Sequence, residues 1–387
     1  MGRKPLGRRA MTDTERKRRW RAKLRRAKIW GSNVDPMARH PRPMCSSENG
    51  GQTCMEPIAN RQVAMSHQPA TSASLPYLSQ PLLERLSITT DQIIDSIEQL
   101  IVGQRGGQVW CAPKVVVLPG DERYIMATLA VAEEPRVVAT KSLVLNPRNS
   151  KRGLAAINSL VTLLDSETGL PLAVVDGNWV TARRTAGLSA VAAKRLARPD
   201  SATVAFIGCG VQARSHLDAF CDLFPLREIR AFGRGTANRD ALCRAAEARG
   251  LTAAASATAR EAIADADLVV TSVTLLPNLE PFLDARWLKA GAFATMTDLA
   301  TPWLPEGMAA FECIVIDDLE QEAKMSKPMV APALVTGDLS GLVCGDLPGR
   351  KSAQVLTAFV FRGLALGDLA LAGLAYRRAK ATGAIPA

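Results

Sequence analysis

Gly208, Gly210 and Ala213 stand in the order G-x-G-x-x-A directly after the apolar run 203–207. At that spacing the first glycine permits a tight reversal and the second lets the backbone approach a pyrophosphate. The alanine lets the following helix pack closely on its strand. Free N–H groups at the start of that helix would face the phosphates, where the helix dipole favours anions. This is the chemistry of dinucleotide binding, and Gln212, inside the turn, joins the candidate set. A bare glycine pattern is common, so the reading depends on the elements that carry it.

Those elements alternate. Residues 227–232 read as a second strand, 238–249 as an alanine-rich helix, 251–256 as a short strand and 259–264 as a short helix. Residues 267–274, 292–297 and 313–317 then read as three more apolar strands. Continuous apolar strands separated by helices imply a parallel sheet covered on both faces. Residues 196–325 are therefore expected to form one doubly wound, Rossmann-type domain. Thr271 and Ser272, late in the strand 267–274, are counted with the cofactor-binding residues.

An NAD site usually offers a carboxylate to the ribose about 20 residues after the glycines. Here the second strand runs into Gly233-Arg234-Gly235, with no acid and one arginine. Arg234 can pair with a 2′-phosphate. NADP(H) is favoured, and NAD(H) stays open.

The 387 residues, 47% hydrophobic, suffice for two domains with a core in each. No run approaches ~18 consecutive apolar residues, which argues against a transmembrane helix. Eight cysteines include no C-x-x-C pair, and only three histidines are present, His40, His67 and His216. A histidine-ligated metal or a Ser-His-Asp triad is hard to assemble from these, so no metal site is expected, and lysine, arginine and carboxylates must do the polar work. Reduced thiols point to the cytoplasm.

The net charge of +11 is local: 13 of the 48 Lys and Arg and 2 of the 37 Asp and Glu fall in residues 1–30, which leaves 35 of each sign beyond them. Thr12 to Glu15 has the form of a capping box before a basic helix with Trp20 and Leu24 on one side. Residues 31–73 are rich in Pro, Ser, Asn and Gln without periodicity, and residues 1–74 are expected to be a basic, disordered extension. It reads as dispensable, with Met55 or Met65 as alternative starts; nucleic-acid contact by residues 1–30 and targeting are the other readings.

From Leu75 the chain becomes orderly, with an amphipathic helix at 89–102 and strands at 114–118, 124–130, 137–145, 160–164 and 171–175. A helix at 178–197 leads into the glycine turn, and 352–380 reads as one long helical stretch. Four segments follow in fixed order: Ala139-Thr140-Lys141-Ser142, Asp165 with Gly169-Leu170-Pro171, Val180 through Arg184-Thr185-Ala186-Gly187, and Gly208 through Gln212-Ala213. Together they resemble the ornithine cyclodeaminase/μ-crystallin family over residues 75–380.

The resemblance implies a nucleotide domain, 196–325, inserted into an α+β domain, 75–195 plus 326–387, that binds substrate and forms a homodimer. It also implies hydride transfer at the α-carbon of a small L-amino acid or its imine, as in ketimine reductases, amino-acid dehydrogenases and cyclodeaminases. By the same resemblance Arg184, at the start of its helix, binds the substrate carboxylate, with Arg183 as the alternative if the helix phase differs. Lys141 faces the carboxylate and amine, and Asp298 handles the amine proton. Lys114 stands where many relatives have a second carboxylate-binding arginine, and the loop after Asp298 lacks their glycine-rich form. A reductase or dehydrogenase leads, an ornithine cyclodeaminase is the alternative, and a non-catalytic NADPH- or small-ligand-binding protein is the reading from another class.

Overall fold

The computed structural model describes residues 74–275 and 279–386. The basic helix, the linker, His40, His67 and the alternative starts lie outside the described residues. Chain order begins with β1 (Tyr77–Leu78), α1 (Gln80–Arg85), α2 (Thr90–Arg105), β2 (Val109–Cys111), β3 (Val115–Val117), β4 (Tyr124–Ala132) and β5 (Val137–Leu145). It continues with β6 (Ile157–Leu164), β7 (Pro171–Asp176) and α3 (Gly177–Leu196). These strands form one sheet in the order β1-β7-β6-β5-β4-β2, with β3 also on β4. All its pairings are antiparallel except that of β1 with β7.

Period-two alternation turns Val137, Ala139, Lys141 and Leu143 of β5 into the buried face. The helix α2 starts from a capping box between Thr89 and Gln92, and α3 from Asp176, whose side chain accepts from the Trp179 N–H.

The second sheet follows: β8 (Thr203–Ile207), α4 (Val211–Leu223), β9 (Glu228–Phe232), α5 (Thr236–Glu247), β10 (Thr252–Ala255), α6 (Ala259–Ile263), β11 (Leu268–Thr271), β12 (Phe293–Met296), β13 (Cys313–Ile316), α7 (Leu319–Ala323), β14 (Val335–Asp338), α8 (Leu339–Val343), β15 (Thr357–Val360) and α9 (Ala365–Ala381). Its eight strands run β10-β9-β8-β11-β12-β15-β13-β14, all parallel. The chain winds outward in opposite directions from β8, so a crevice opens between β8 and β11 beyond the strands' carboxyl ends, where such sheets take ligands.

Two expectations need correction. The boundary at 325 falls inside this sheet, because β14 and β15 lie beyond it and β15 is inserted between β12 and β13. The stretch 352–380 is not one helix: Thr357–Val360 is a fully buried strand, and Gly363 at φ +92° precedes α9. A four-residue apolar run beside an alanine-rich helix carries no periodicity of its own, so burial in the sheet decides it.

Candidate functional site

Gly208 leaves β8 at φ +91°, donating its N–H to the Phe232 carbonyl at 2.9 Å. A Cβ there would lie 2.6 Å from the Ser272 carbonyl oxygen, so only glycine lets the β8 and β11 exits approach this closely. The Ser272 hydroxyl donates back to the Gly208 carbonyl at 3.1 Å. Gly210, with open space beside it, caps α4 without a side chain, and Ala213 is fully buried behind it. The first amides of α4 thus remain available to an anion. Gln212 Oε1 and Thr181 Oγ1 are buried without a hydrogen-bond partner among the described residues. A positive-φ glycine, an uncapped helix start and orphaned polar atoms suit a dinucleotide. Arg234 is exposed in the turn between β9 and α5.

Thr271, counted above with the cofactor-binding residues, is fully buried, and its hydroxyl donates to Asp298 Oδ1 at 2.9 Å. Asp298 lies just past β12, and its Oδ2 accepts the Val273 N–H at 2.9 Å. Burial pushes this carboxyl up to about 6, against the pull of those hydrogen bonds. The next two residues, Leu299 (φ 60°) and Ala300 (φ 56°), are left-handed without being glycine, a strained turn that fixes where the acid sits.

The other domain contributes charges. Lys141 is 1% exposed, and its Nζ donates to Asp368 Oδ1 at 2.6 Å. Thr128, its cross-strand partner on β4, donates to Asp368 Oδ2 at 3.1 Å. Arg184 Nε lies 3.1 Å from Asp368 Oδ1 but off the axis of a hydrogen bond, so Nε and Nη1 stay buried without hydrogen-bond partners among the described residues. Burial pulls the Lys141 amine below its usual range, and Asp368 opposes the shift. Burial would raise the Asp368 carboxyl, but the Lys141 and Arg184 charges outweigh it and hold the group below the ordinary carboxylate value.

Helix phase selects between the two arginines. Arg184 is buried, whereas Arg183 turns outward, donating to the Ile88 carbonyl at 3.0 Å. Arg184 is the eighth residue of α3, not at its start, so the helix dipole has no part in its field.

Lys114 Nζ donates to the Arg362 carbonyl at 2.7 Å. Burial brings its amine down to about 8, the Arg184 charge adding to the effect and Asp317 opposing it. Asp317 follows β13 and is buried; burial raises its carboxyl to about 6 against the Lys114 charge.

Sequence reasoning missed Asp368 and Asp317. The one signal for Asp368 is an acid inside the apolar run 364–372, a position that burial makes costly unless cations meet it. His216, the one described histidine, is fully buried: Nδ1 donates to the Gln212 carbonyl at 2.7 Å, and Nε2 accepts from Ser189, itself 2.8 Å from Thr295. Burial lowers it to about 4, a neutral link between α3, α4 and β12. Among the described residues no His, Cys, Asp and Glu cluster could hold a metal, and no helix is long and apolar enough to cross a membrane.

Residues 82–383 match the model of the ornithine cyclodeaminase/mu-crystallin family. The chain belongs to that family. It is 30% identical over 314 residues to the alanine dehydrogenase of Archaeoglobus fulgidus, covering 78% of this chain and 94% of that one. It is 30% identical over 278 residues to the ketimine reductase mu-crystallin of Mus musculus, covering 71% and 86%. Among solved structures, the Thermococcus litoralis Δ1-pyrroline-2-carboxylate reductase in complex with NADH and L-proline superposes with a TM-score of 0.74 at 26% identity, over 80% of this chain and 98% of that one. An archaeal alanine dehydrogenase dimer with bound NAD gives 0.72 at 28% identity, over 81% and 98%. These similarities confirm the family membership and the two-part α/β architecture.

Proposed function

We propose that this chain is a nicotinamide-dependent enzyme that transfers hydride at the α-carbon of a small L-amino acid or its imine, working as an imine reductase or amino-acid dehydrogenase. The observation that carries the reading is Arg184: a buried guanidinium that shares the Asp368 carboxylate with Lys141 and whose Nε and Nη1 have no hydrogen-bond partner among the described residues has donors left for a second anion. A carboxylate is the matching ligand, because it accepts from a guanidinium at two points. The named relatives act on molecules that supply one.

The nicotinamide, when bound, supplies or takes up the hydride. Gly208, Gly210, Gln212, Ala213 and Ser272 would hold its dinucleotide at the crevice between β8 and β11, and Arg234 would meet a 2′-phosphate, which favours NADP(H). Arg184, with Lys114 nearby, binds the substrate carboxylate. Lys141, its charge lightened by burial, orients the carboxylate and amine. Asp298, with a pKa of about 6, holds or releases a proton near neutrality, as a group handling the amine proton must.

The outward face of the first sheet exposes Trp110, Leu129, Val144 and Leu160, which alternate with the buried positions. Such an apolar face suits a second copy of the chain, hence a homodimer. The test of function is a matched pair of assays: NADPH or NADH oxidation with Δ1-pyrroline-2-carboxylate or with pyruvate plus an amine, and ammonia release from L-ornithine. Imine-dependent oxidation is expected. Ammonia release without net cofactor turnover would show a cyclodeaminase instead, and dinucleotide binding with neither activity would show a binding protein.

A further inference from the structure

Between β15 and α9 the chain makes a two-residue turn, Arg362-Gly363, gripped from several sides. Asp317 Oδ2 accepts both of its amides, from Arg362 at 3.0 Å and from Gly363 at 2.8 Å. Lys114 Nζ donates to the Arg362 carbonyl from the other side at 2.7 Å. The Arg362 side chain is itself tied down by Glu322 at 2.6 Å and the Lys327 carbonyl at 2.6 Å.

What this turn touches is Arg184. A Cβ on Gly363 would lie 2.7 Å from Arg184 Nη1, 3.3 Å from Nη2 and 3.4 Å from Cζ, so the guanidinium rests directly on the bare glycine backbone. On another side Asp368 stands 3.1 Å from Nε, and Gly367 would bring a Cβ to 3.3 Å of Cδ. The guanidinium is wedged between a turn and a helix, and only the turn can shift independently of the Lys141 ion pair.

We propose that Asp317 is a positioning residue: by pinning the Arg362-Gly363 turn against Arg184, it sets where the substrate carboxylate is bound. The inference rests on the carboxylate-binding reading of Arg184 given above. Asp317 grips the turn through the amides: its charge and that of Lys114 act on each other, but the Lys114 amine bonds to the turn's carbonyl and Asp317 Oδ1 has no hydrogen-bond partner among the described residues. Asparagine keeps an oxygen for the two amides; alanine does not.

The test compares Asp317→Ala, Asp317→Asn and Gly363→Ala in the full chain by two readouts. One is the Arg184 Nε–H resonance in a 1H–15N spectrum, assigned with Arg184→Lys. The other is kcat and KM for Δ1-pyrroline-2-carboxylate with NADPH. Asp317→Ala should displace the resonance and raise KM about tenfold or more with a much smaller change in kcat, the pattern of lost uniform binding. Gly363→Ala should do the same, and Asp317→Asn should restore both readouts. Unchanged resonance and KM in Asp317→Ala would overturn the proposal, as would an Asn variant no better than Ala, which would make charge the operative property. If Asp317→Ala does not fold, Gly363→Ala decides: an unmoved resonance and KM there overturn the clamp. If the wild-type protein reduces no imine, the proposed function fails while the resonance still decides the clamp.

Discussion

Asp368 and Asp298 are both buried carboxyls, 2% exposed each, and their environments push them in opposite directions. Asp368 meets two cations and a hydroxyl, and is held below the ordinary carboxylate range. Asp298 meets neutral donors, the Thr271 hydroxyl and backbone amides including that of Val273, and is raised by burial to about 6. The first sheet's side of the site therefore stores a permanent negative charge, which fixes Lys141 and Arg184 in place. The carboxyl-end side of the second sheet, just past its interior strand β12, keeps a carboxyl that can change its protonation near neutrality. Burial alone does not set an acid's role; the charge of the donors facing it does.

The strongest test of this contrast is Asp368→Ala. Removing the shared anion strands two buried cations, and the cost expected is roughly 3–5 kcal/mol of stability. Denaturant unfolding of variant and wild type measures it, and a loss below about 1 kcal/mol would mean that the ion pairs are not what holds this side together. Lys141→Ala comes next. It should reduce kcat roughly 10²–10⁴-fold while leaving dinucleotide affinity unchanged, since Lys141 lies outside the glycine-turn domain. Stopped-flow turnover and fluorescence titration with NADPH separate the two effects, and near-normal turnover would remove Lys141 from the site.

Asp298→Asn addresses the other side. The folded pKa of about 6 lies above the ordinary value of 3.8, so the stabilisation from binding this proton is fully present below about pH 4 and is lost as the pH rises through 6. Asparagine mimics the protonated form at every pH. The variant should therefore gain on the wild type as the pH rises from about 4 to 6, by up to about 3 kcal/mol, and keep that advantage above pH 7. Parallel urea melts across that range check it, and a constant difference would show that Asp298 is ionised throughout. The smallest effect is that of Arg234→Ala, which should weaken NADPH binding by about 1.5–3 kcal/mol and leave NADH binding nearly unchanged. Equal losses for both cofactors would separate Arg234 from the 2′-phosphate.

The parallel sheet was legible because most of its strands show as continuous apolar runs separated by helices and loops and its glycine turn has a fixed spacing. Lys141 and Arg184 stood out by resemblance, and strand alternation and helix phase then turn each inward. The strands β1, β2 and β15 were not legible: β1 and β2 span two and three residues, and β15, though as long as β11, β12 and β13, runs toward an alanine-rich helix that masks it. Nor was the bond between Thr271 and Asp298, which lies beside the left-handed turn at Leu299 and Ala300, where residue type argues against the conformation adopted.

By itself the sequence determined the parallel α/β nucleotide domain, the glycine turn that suits a dinucleotide and the concentration of charge in residues 1–30, which follow from local spacing, periodicity and composition; the second domain's role and the choice of Lys141 and Arg184 came from the family resemblance. Only the tertiary structure decided that β15 slides between β12 and β13, that Asp368 from the last helix meets Lys141 and Arg184, and that Asp317 reaches the turn beneath Arg184. Those pairings join residues 44 to 227 positions apart. They come from the order in which strands stack and from the cost of leaving a buried charge or amide without a partner, which no local pattern records.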